Sequence, residues 1–186
     1  MNTATYIDNG QNINFAGAYA YFTNYSPSAP TVTVNLDGVI NQRISDDINN
    51  SISICTLLCS GSATKTLCDG NDVLDISGDV TINSGVDVTS TEIINWSGAT
   101  WTNNGTFSHR AQTLNFTGTA DQDINPGPSD AANYLNNVYF SNPGTVSFVT
   151  NGADINGNFT INQGTVDMGN QSHTIENNVL NIAGGT

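Results

Sequence analysis

The stretch Gly78-Asp79-Val80-Thr81-Ile82-Asn83-Ser84-Gly85 has a close echo in Gly98-Ala99-Thr100-Trp101-Thr102-Asn103-Asn104-Gly105 and another in Gly157-Asn158-Phe159-Thr160-Ile161-Asn162-Gln163-Gly164. Each phrase opens and closes on Gly at the same offset, and the step of about 20 residues is a period characteristic of stacked-coil architectures. Weaker copies put Asn137 and Asn177 where the first Gly stood, and Gly118 heads a degenerate one. Asn is the residue besides Gly that best tolerates positive φ, so the exchange suits a turn.

A second column keeps time with the first. Two positions before each leading Gly or Asn stands a large apolar residue: Ile76, Trp96, Phe116, Leu135, Ile155 and Ile175. Leu74, Ile94 and Leu114 repeat the pattern two residues earlier, the spacing of side chains on one face of a strand. These columns predict a core in which like residues lie over like. A coil of about 20 residues cannot bury its own apolar face, but stacked coils share ladder hydrogen bonds about 4.8 Å apart and enclose one interior. The fold class expected is all-β, a parallel β-helix (β-solenoid) of about six visible coils, making a rod on the order of 30 Å long with Gly or Asn at its corners.

Composition agrees with a turn-dense β protein. Only 37% of the 186 residues are apolar, and Asn alone takes about 28 positions. Three basic residues, Arg43, Lys65 and Arg110, face 16 acidic ones for a net charge of −13. Such a surface repels phosphate backbones and anionic headgroups, so nucleic acid and membrane surfaces are poor partners; the charge itself keeps an Asn- and Thr-rich β surface soluble. No apolar run is long enough to span a bilayer, and Met1-Asn2-Thr3-Ala4-Thr5 lacks the features of a signal peptide. The last residues, Ile182-Ala183-Gly184-Gly185-Thr186, stop within a repeat, which leads us to expect a segment of a longer array. Cys55, Cys59 and Cys68 cluster in one short stretch. One local disulfide with a thiol left over, as in an exported protein, is the expected arrangement, with buried thiols the alternative.

The repeat divides the chain into residues 1–69, an irregular β-rich N-terminal or capping region, and residues 70–186, the solenoid proper. Within the first part, Val32, Val34 and Leu36 alternate with Thr33 and Asn35, as do Ala18, Ala20 and Phe22 with Tyr19 and Tyr21, which predicts half-buried strands. Ile40, Ile44, Ile48 and Ile52 fit a short helix as well as a strand. The prolines of Asn125-Pro126-Gly127-Pro128-Ser129-Asp130 interrupt the repeat with a loop.

The phrases around Gly157 and over Trp101-Thr102-Asn103-Asn104-Gly105-Thr106-Phe107, followed by Leu114-Asn115-Phe116-Thr117-Gly118, resemble repeats of very large secreted surface proteins of Bacteroidetes-type bacteria and, more loosely, filamentous-haemagglutinin adhesins. The likeness covers Asp72 to Thr186. It implies a solenoid at the cell surface and transfers no catalytic residue.

The expected function is that of a structural and adhesive segment of an extracellular bacterial surface protein, a stiff stalk or binding surface whose partners are glycans, other extracellular proteins, or further copies or flanking repeats of itself. Trp101, Tyr134 and Tyr139 are the candidates for stacking on sugar rings. Asp69, Asn71, Asp72 and Asp75 place oxygen ligands around a Gly turn, a sketch of a Ca²⁺ loop without its distal Glu; the competing reading is a plain Asx-Gly turn. The alternative in another class is a β-helical polysaccharide lyase or hydrolase using Asp121, Asp123, Asp154 or Asp167 with His109 and Arg110. A third reading is a self-assembling extracellular fibre subunit whose last coil pairs with another copy.

Overall fold

The computed structural model describes residues 12–15, 17, 19–21, 32–45, 51–68, 73–128, 132–176 and 180–185. Within them the chain is an all-β parallel solenoid of about seven turns, each of about 22 residues, with no helix. The first described turn holds β1 (Ile13–Phe15) and β2 (Tyr19–Tyr21). The next holds β3 (Thr33–Leu36), β4 (Gln42–Ser45) and β5 (Ser51–Ile54), followed by β6 (Thr56–Cys59), β7 (Thr64–Leu67) and β8 (Val73–Ile76). Then come β9 (Val80–Ile82), β10 (Asp87–Ser90) and β11 (Ile93–Trp96), and β12 (Thr100–Asn103), β13 (Thr106–His109) and β14 (Thr113–Phe116). β15 (Gln122–Asn125) and β16 (Asn137–Phe140) precede β17 (Thr145–Phe148), β18 (Asp154–Ile155) and β19 (Phe159–Ile161). β20 (Thr165–Asp167), β21 (Thr174–Ile175) and β22 (Leu180–Ile182) are the last described strands.

The turns contribute their strands to three faces, and all pairings among the described residues are parallel. Face A runs β1-β3-β6-β9-β12-β15-β17-β20 and face C runs β5-β8-β11-β14-β16-β19-β22. Face B runs β2-β4-β7-β10-β13; beyond β13 it is carried by single bridges, Ser108 to Tyr134 and Leu135 to Ile155, into the pair β18-β21. Because β1 to β7 belong to the same faces as later strands, the described parts of residues 1–69 are turns of the same coil. The expected boundary between a capping region and a solenoid at residue 70 is not visible in the ladders.

The four-residue strands place alternate side chains inward, and the register stacks them. On face C two columns run Ile52-Leu74-Ile94-Leu114-Val138-Phe159-Leu180 and Ile54-Ile76-Trp96-Phe116-Phe140-Ile161-Ile182. The expected column therefore changes partner after Phe116: the residue above it is Phe140. Leu135, Ile155 and Ile175 form a real column on face B instead. The recurring Gly phrase explains the slip. Gly78 and Gly98 lead into β9 and β12 on face A, whereas Gly157 leads into β19 on face C, so the phrase encodes one side of the coil and recurs on different sides. The ambiguous Ile40–Ile52 segment resolves into strands β4 and β5, with Ile44 and Ile52 inward; Ile48 lies outside the described residues.

Aromatic rings form a chain through the interior. Trp96 meets Trp101 edge-on at 5.7 Å and Phe116 at 5.6 Å, Phe116 stacks on Phe140 at 4.5 Å, and Phe140 reaches Phe159 at 5.1 Å. At the far end, Ile175, Leu180 and Ile182 occupy inward columns yet are 39%, 57% and 53% exposed, since no described turn lies over them.

Candidate functional sites

Tight corners leave backbone carbonyls pointing inward where the ladder cannot reach them, and a buried carbonyl without a partner is costly. Amide side chains meet that need. Gln122 Nε2 donates to Gly98 O at 2.8 Å while its Oε1 accepts from Asn142 Nδ2 at 2.7 Å. Asn103 Nδ2 donates to Pro126 O and to Asn133 Oδ1, both at 2.8 Å, and Asn125 Nδ2 donates to Asn103 O at 3.2 Å. Asn103, Gln122, Asn133 and Asn142 are all buried. The high Asn content is thus partly interior hardware, which composition cannot distinguish from surface turns.

The same corner device, one turn after Gln42, employs Lys65. Its side chain is 0% exposed, sitting in the inward column between Gln42 and Val88. Nζ donates to Gly38 O at 2.6 Å, Gln42 Oε1 at 2.7 Å and Ser62 O at 2.8 Å, so all of its N–H donors are used. The contact to Ser62 O holds the turn in which Ala63 has φ 64°, a left-handed conformation unfavourable for a residue with a Cβ. Gln42 itself donates through Nε2 to Phe15 O and to Gly17 O and accepts from Gly38 N at 2.8 Å. Burial lowers the Lys65 pKa, opposed by the charges of Cys59 and Asp37. Its importance was legible in principle: the alternation Thr64-Lys65-Thr66-Leu67 puts Lys65 on the same side as Leu67, the core side.

The cysteines depart from expectation. Cys55, Cys59 and Cys68 are all buried thiols, and the predicted local disulfide is not formed. Cys55 lies at the corner between faces C and A, Cys59 ends β6 on face A, and Cys68 follows β7 on face B, so proximity in sequence distributes them around the coil. Burial pushes the Cys59 thiol up to about 12, with the nearby Lys65 charge opposing. Because reactivity belongs to the thiolate, we expect none of the three thiols to react rapidly with a disulfide reagent at pH 8 in the folded protein and all three to react once guanidinium unfolds it. Rapid labelling of Cys59 in the native state, located by peptide mapping, would contradict this placement.

His109 is also interior, 0% exposed, stacked on Phe107 at 6.0 Å and following Ser90 in its column. Nε2 lies 2.8 Å from Glu92 O, which can only accept, so Nε2 carries the proton of the neutral ring. Nδ1 is buried without a hydrogen-bond partner among the described residues. Burial holds the pKa of His109 below its ordinary value of 6.5, outweighing the raising effects of the Glu92 backbone and charge. The unfolded chain therefore takes up a proton near pH 6.5 while the folded one remains neutral to lower pH. Stability present above 6.5 is lost as pH falls towards the depressed folded value. Urea midpoints measured at pH 7 and pH 5 should fall less for His109→Phe, which keeps a ring at this position, than for the native chain. An equal fall in both would refute the assignment.

The remaining enzymatic candidates are not assembled. Asp121 and Asp123 lie at the start of β15 on face A, where Asp121 Oδ1 accepts from Thr145 N at 2.8 Å. Asp123 and Asp167 share an outward row on that face with Ser147 between them. Asp154 is on face B, Arg110 is exposed just beyond β13, and His109 is inside. The structure thus separates the proposed base and cation from the acidic row.

Of the Ca²⁺ candidates, Asp69, Asn71 and Asp72 lie outside the described residues. Asp75 Oδ1 accepts from Asn95 Nδ2 at 2.7 Å, and Asn115 Nδ2 donates to Asn95 Oδ1 at 2.7 Å. Asp75 is therefore the foot of an amide ladder along the outside of face C. No group of three or more His, Cys, Asp or Glu suited to a metal ion occurs among the described residues.

Of the glycan candidates, Trp101 is corrected: at 1% exposure it belongs to the core, above Val80 and below Ile124. Thr100 and Thr102 on either side of it face outward, so strand parity sends the ring in. Tyr139 is half-buried in the outward row of face C between Asn115 and Thr160, and Tyr134 is half-buried on face B next to Ser108. They lie on different faces. Sequence reasoning missed a groove of about 640 Å³ on the early turns, lined by Val39, Ile40, Asn41, Arg43, Thr64 and Thr66 among others. Val39 and Ile40 are 76% and 49% exposed there, apolar surface beside a guanidinium on an otherwise acidic rod.

No protein family, curated protein or solved structure matches this chain.

Proposed function

We propose that the chain is a structural and adhesive segment of an extracellular bacterial surface protein, a stiff spacer that also offers a contact surface for glycans or other extracellular chains. The observation that carries this reading is the column-over-column register that runs unbroken along faces A and C, each described turn supporting the next. The groove by Val39, Ile40 and Arg43 supplies apolar surface with polar neighbours, a combination suited to the face and hydroxyls of a sugar ring. Pulling the chain by its ends should release it in successive lengths of about one 22-residue turn, and immobilised glycans should retain it without being cut. Release in a single step would argue against a load-bearing rod. Production of reducing ends or unsaturated uronates would move the protein to the class of carbohydrate-active enzymes.

A fibre subunit is the second reading, favoured by the apolar hollow among the strands β19 to β22. Phe159, Ile161, Val166, Met168, Ile175, Leu180 and Ile182 line an open hollow of about 230 Å³, and parallel strand edges surround it. Sedimentation that lengthens with concentration would support this reading, whereas a single monomeric species would oppose it.

A further inference from the structure

We propose that Lys65 and Gln42 form an intramolecular amide bond, Nζ to Cδ, which joins two consecutive turns of the rod covalently. The two side chains are 0% and 2% exposed and 23 residues apart in sequence, with the amine nitrogen 2.7 Å from the carboxamide oxygen. Contact of this kind, sealed from water, supplies the proximity on which aminolysis of an otherwise inert amide depends. Gly38 N donates to Gln42 Oε1 at 2.8 Å and is thereby aimed at the oxygen that becomes negative in the tetrahedral intermediate. The leaving nitrogen, Nε2, donates to Phe15 O and Gly17 O, which fixes the carboxamide so that its oxygen faces the amine.

Asp37, immediately before Gly38, acts on Lys65 through its charge, and its Oδ1 is buried without a hydrogen-bond partner among the described residues. It is the carboxylate available to relay protons. Burial also favours the neutral, nucleophilic amine over the ammonium.

The step balances without an outside reagent. One Nζ–H turns from Ser62 O to the Asp37 carboxylate and gives it a proton; the freed Nζ lone pair forms the bond to Cδ while the carbonyl π pair moves to Oε1. As that pair returns, the Cδ–Nε2 bond breaks, and the nitrogen departs with one proton from Nζ and one from Asp37 as ammonium. An ammonium and a primary carboxamide have become a secondary amide and NH₄⁺. The bond is independent of whether the rod serves as stalk, adhesin or enzyme scaffold.

The test is the intact mass of the full chain, purified folded and then unfolded in denaturant. The dominant species should be about 17 Da lighter than its sequence, the mass of ammonia, and proteolysis should give a branched peptide joining the Gln42 and Lys65 segments. Lys65→Arg and Gln42→Met should restore the full sequence mass. A native chain of full sequence mass overturns the proposal whatever the variants do. So does an equal loss mapped to a succinimide at Asn9-Gly10, Asn104-Gly105, Asn151-Gly152 or Asn156-Gly157, the other source of ammonia loss in this sequence.

Discussion

Trp96→Ala should cost the fold about 3–5 kcal/mol, a large share of the total stability of an ordinary domain. The indole is 0% exposed and touches Trp101 and Phe116 edge-on, so its removal opens a void in the middle of the aromatic chain. It also deletes a donor: Trp96 Nε1 donates to Gly78 O at 3.0 Å, and that corner carbonyl would be left without the indole N–H. Urea denaturation followed by far-ultraviolet circular dichroism should show the midpoint collapse. Trp96→Phe, which keeps a ring but loses the N–H, should fall between the two. A loss under about 1 kcal/mol for the Ala variant would mean that neighbouring turns close over the gap, contrary to the close packing expected of such a core.

Gly98→Ala should be nearly as damaging, at about 2 kcal/mol or more, for a different reason. Gly98 lies against Gly78 of the previous turn, and a Cβ added to it would sit 1.9 Å from Gly78 O and 2.7 Å from Trp96 Nε1. The obstruction is backbone, so no rotamer change relieves it; the turns must separate and lengthen their ladder bonds. Gly85→Ala is the instructive contrast. There a Cβ meets nothing within 4 Å, and the penalty comes only from a backbone held at φ +78°. Thermal unfolding should therefore rank Gly98→Ala well below Gly85→Ala, and the reverse order would refute the stacking of the two corners. Since Gly98 and Trp96 share the Gly78 carbonyl, the double variant should lose less than the sum of the singles.

These two sites illustrate how much could be read in advance. Period and parity together predicted a parallel coil, and the columns through Ile76, Trp96 and Phe116 and through Leu74, Ile94 and Leu114 hold in the structure. The phase was lost after Phe116 because the coil adds residues there: Leu114 stacks under Val138, 24 positions on, whereas Ile94 stacks under Leu114, 20 positions on. A fixed-period search steps across that extension onto another face, and lands on Leu135. Trp101 departs from expectation for a related reason: the glycines of its phrase set Thr100 and Thr102 level with Val80 and Ile82, while the ladder pairs Val80 with Trp101. The buried roles of Lys65 and His109 have a different origin. Residue type argues for the surface, and only strand parity argues for the interior; when the two disagree, a corner full of unpaired carbonyls decides, because it rewards a buried donor.

The uneven coil length has its own meaning. Successive pairings on face C are separated by 20 to 24 residues, yet the strands remain in step, so every extra residue has been accommodated at a vertex. The vertex carrying Pro126 and Pro128 is a natural example, since faces A and C keep their ladders across it. Peptides inserted at such vertices, rather than within the sides, would be displayed at a fixed height along a common axis, one storey for each turn.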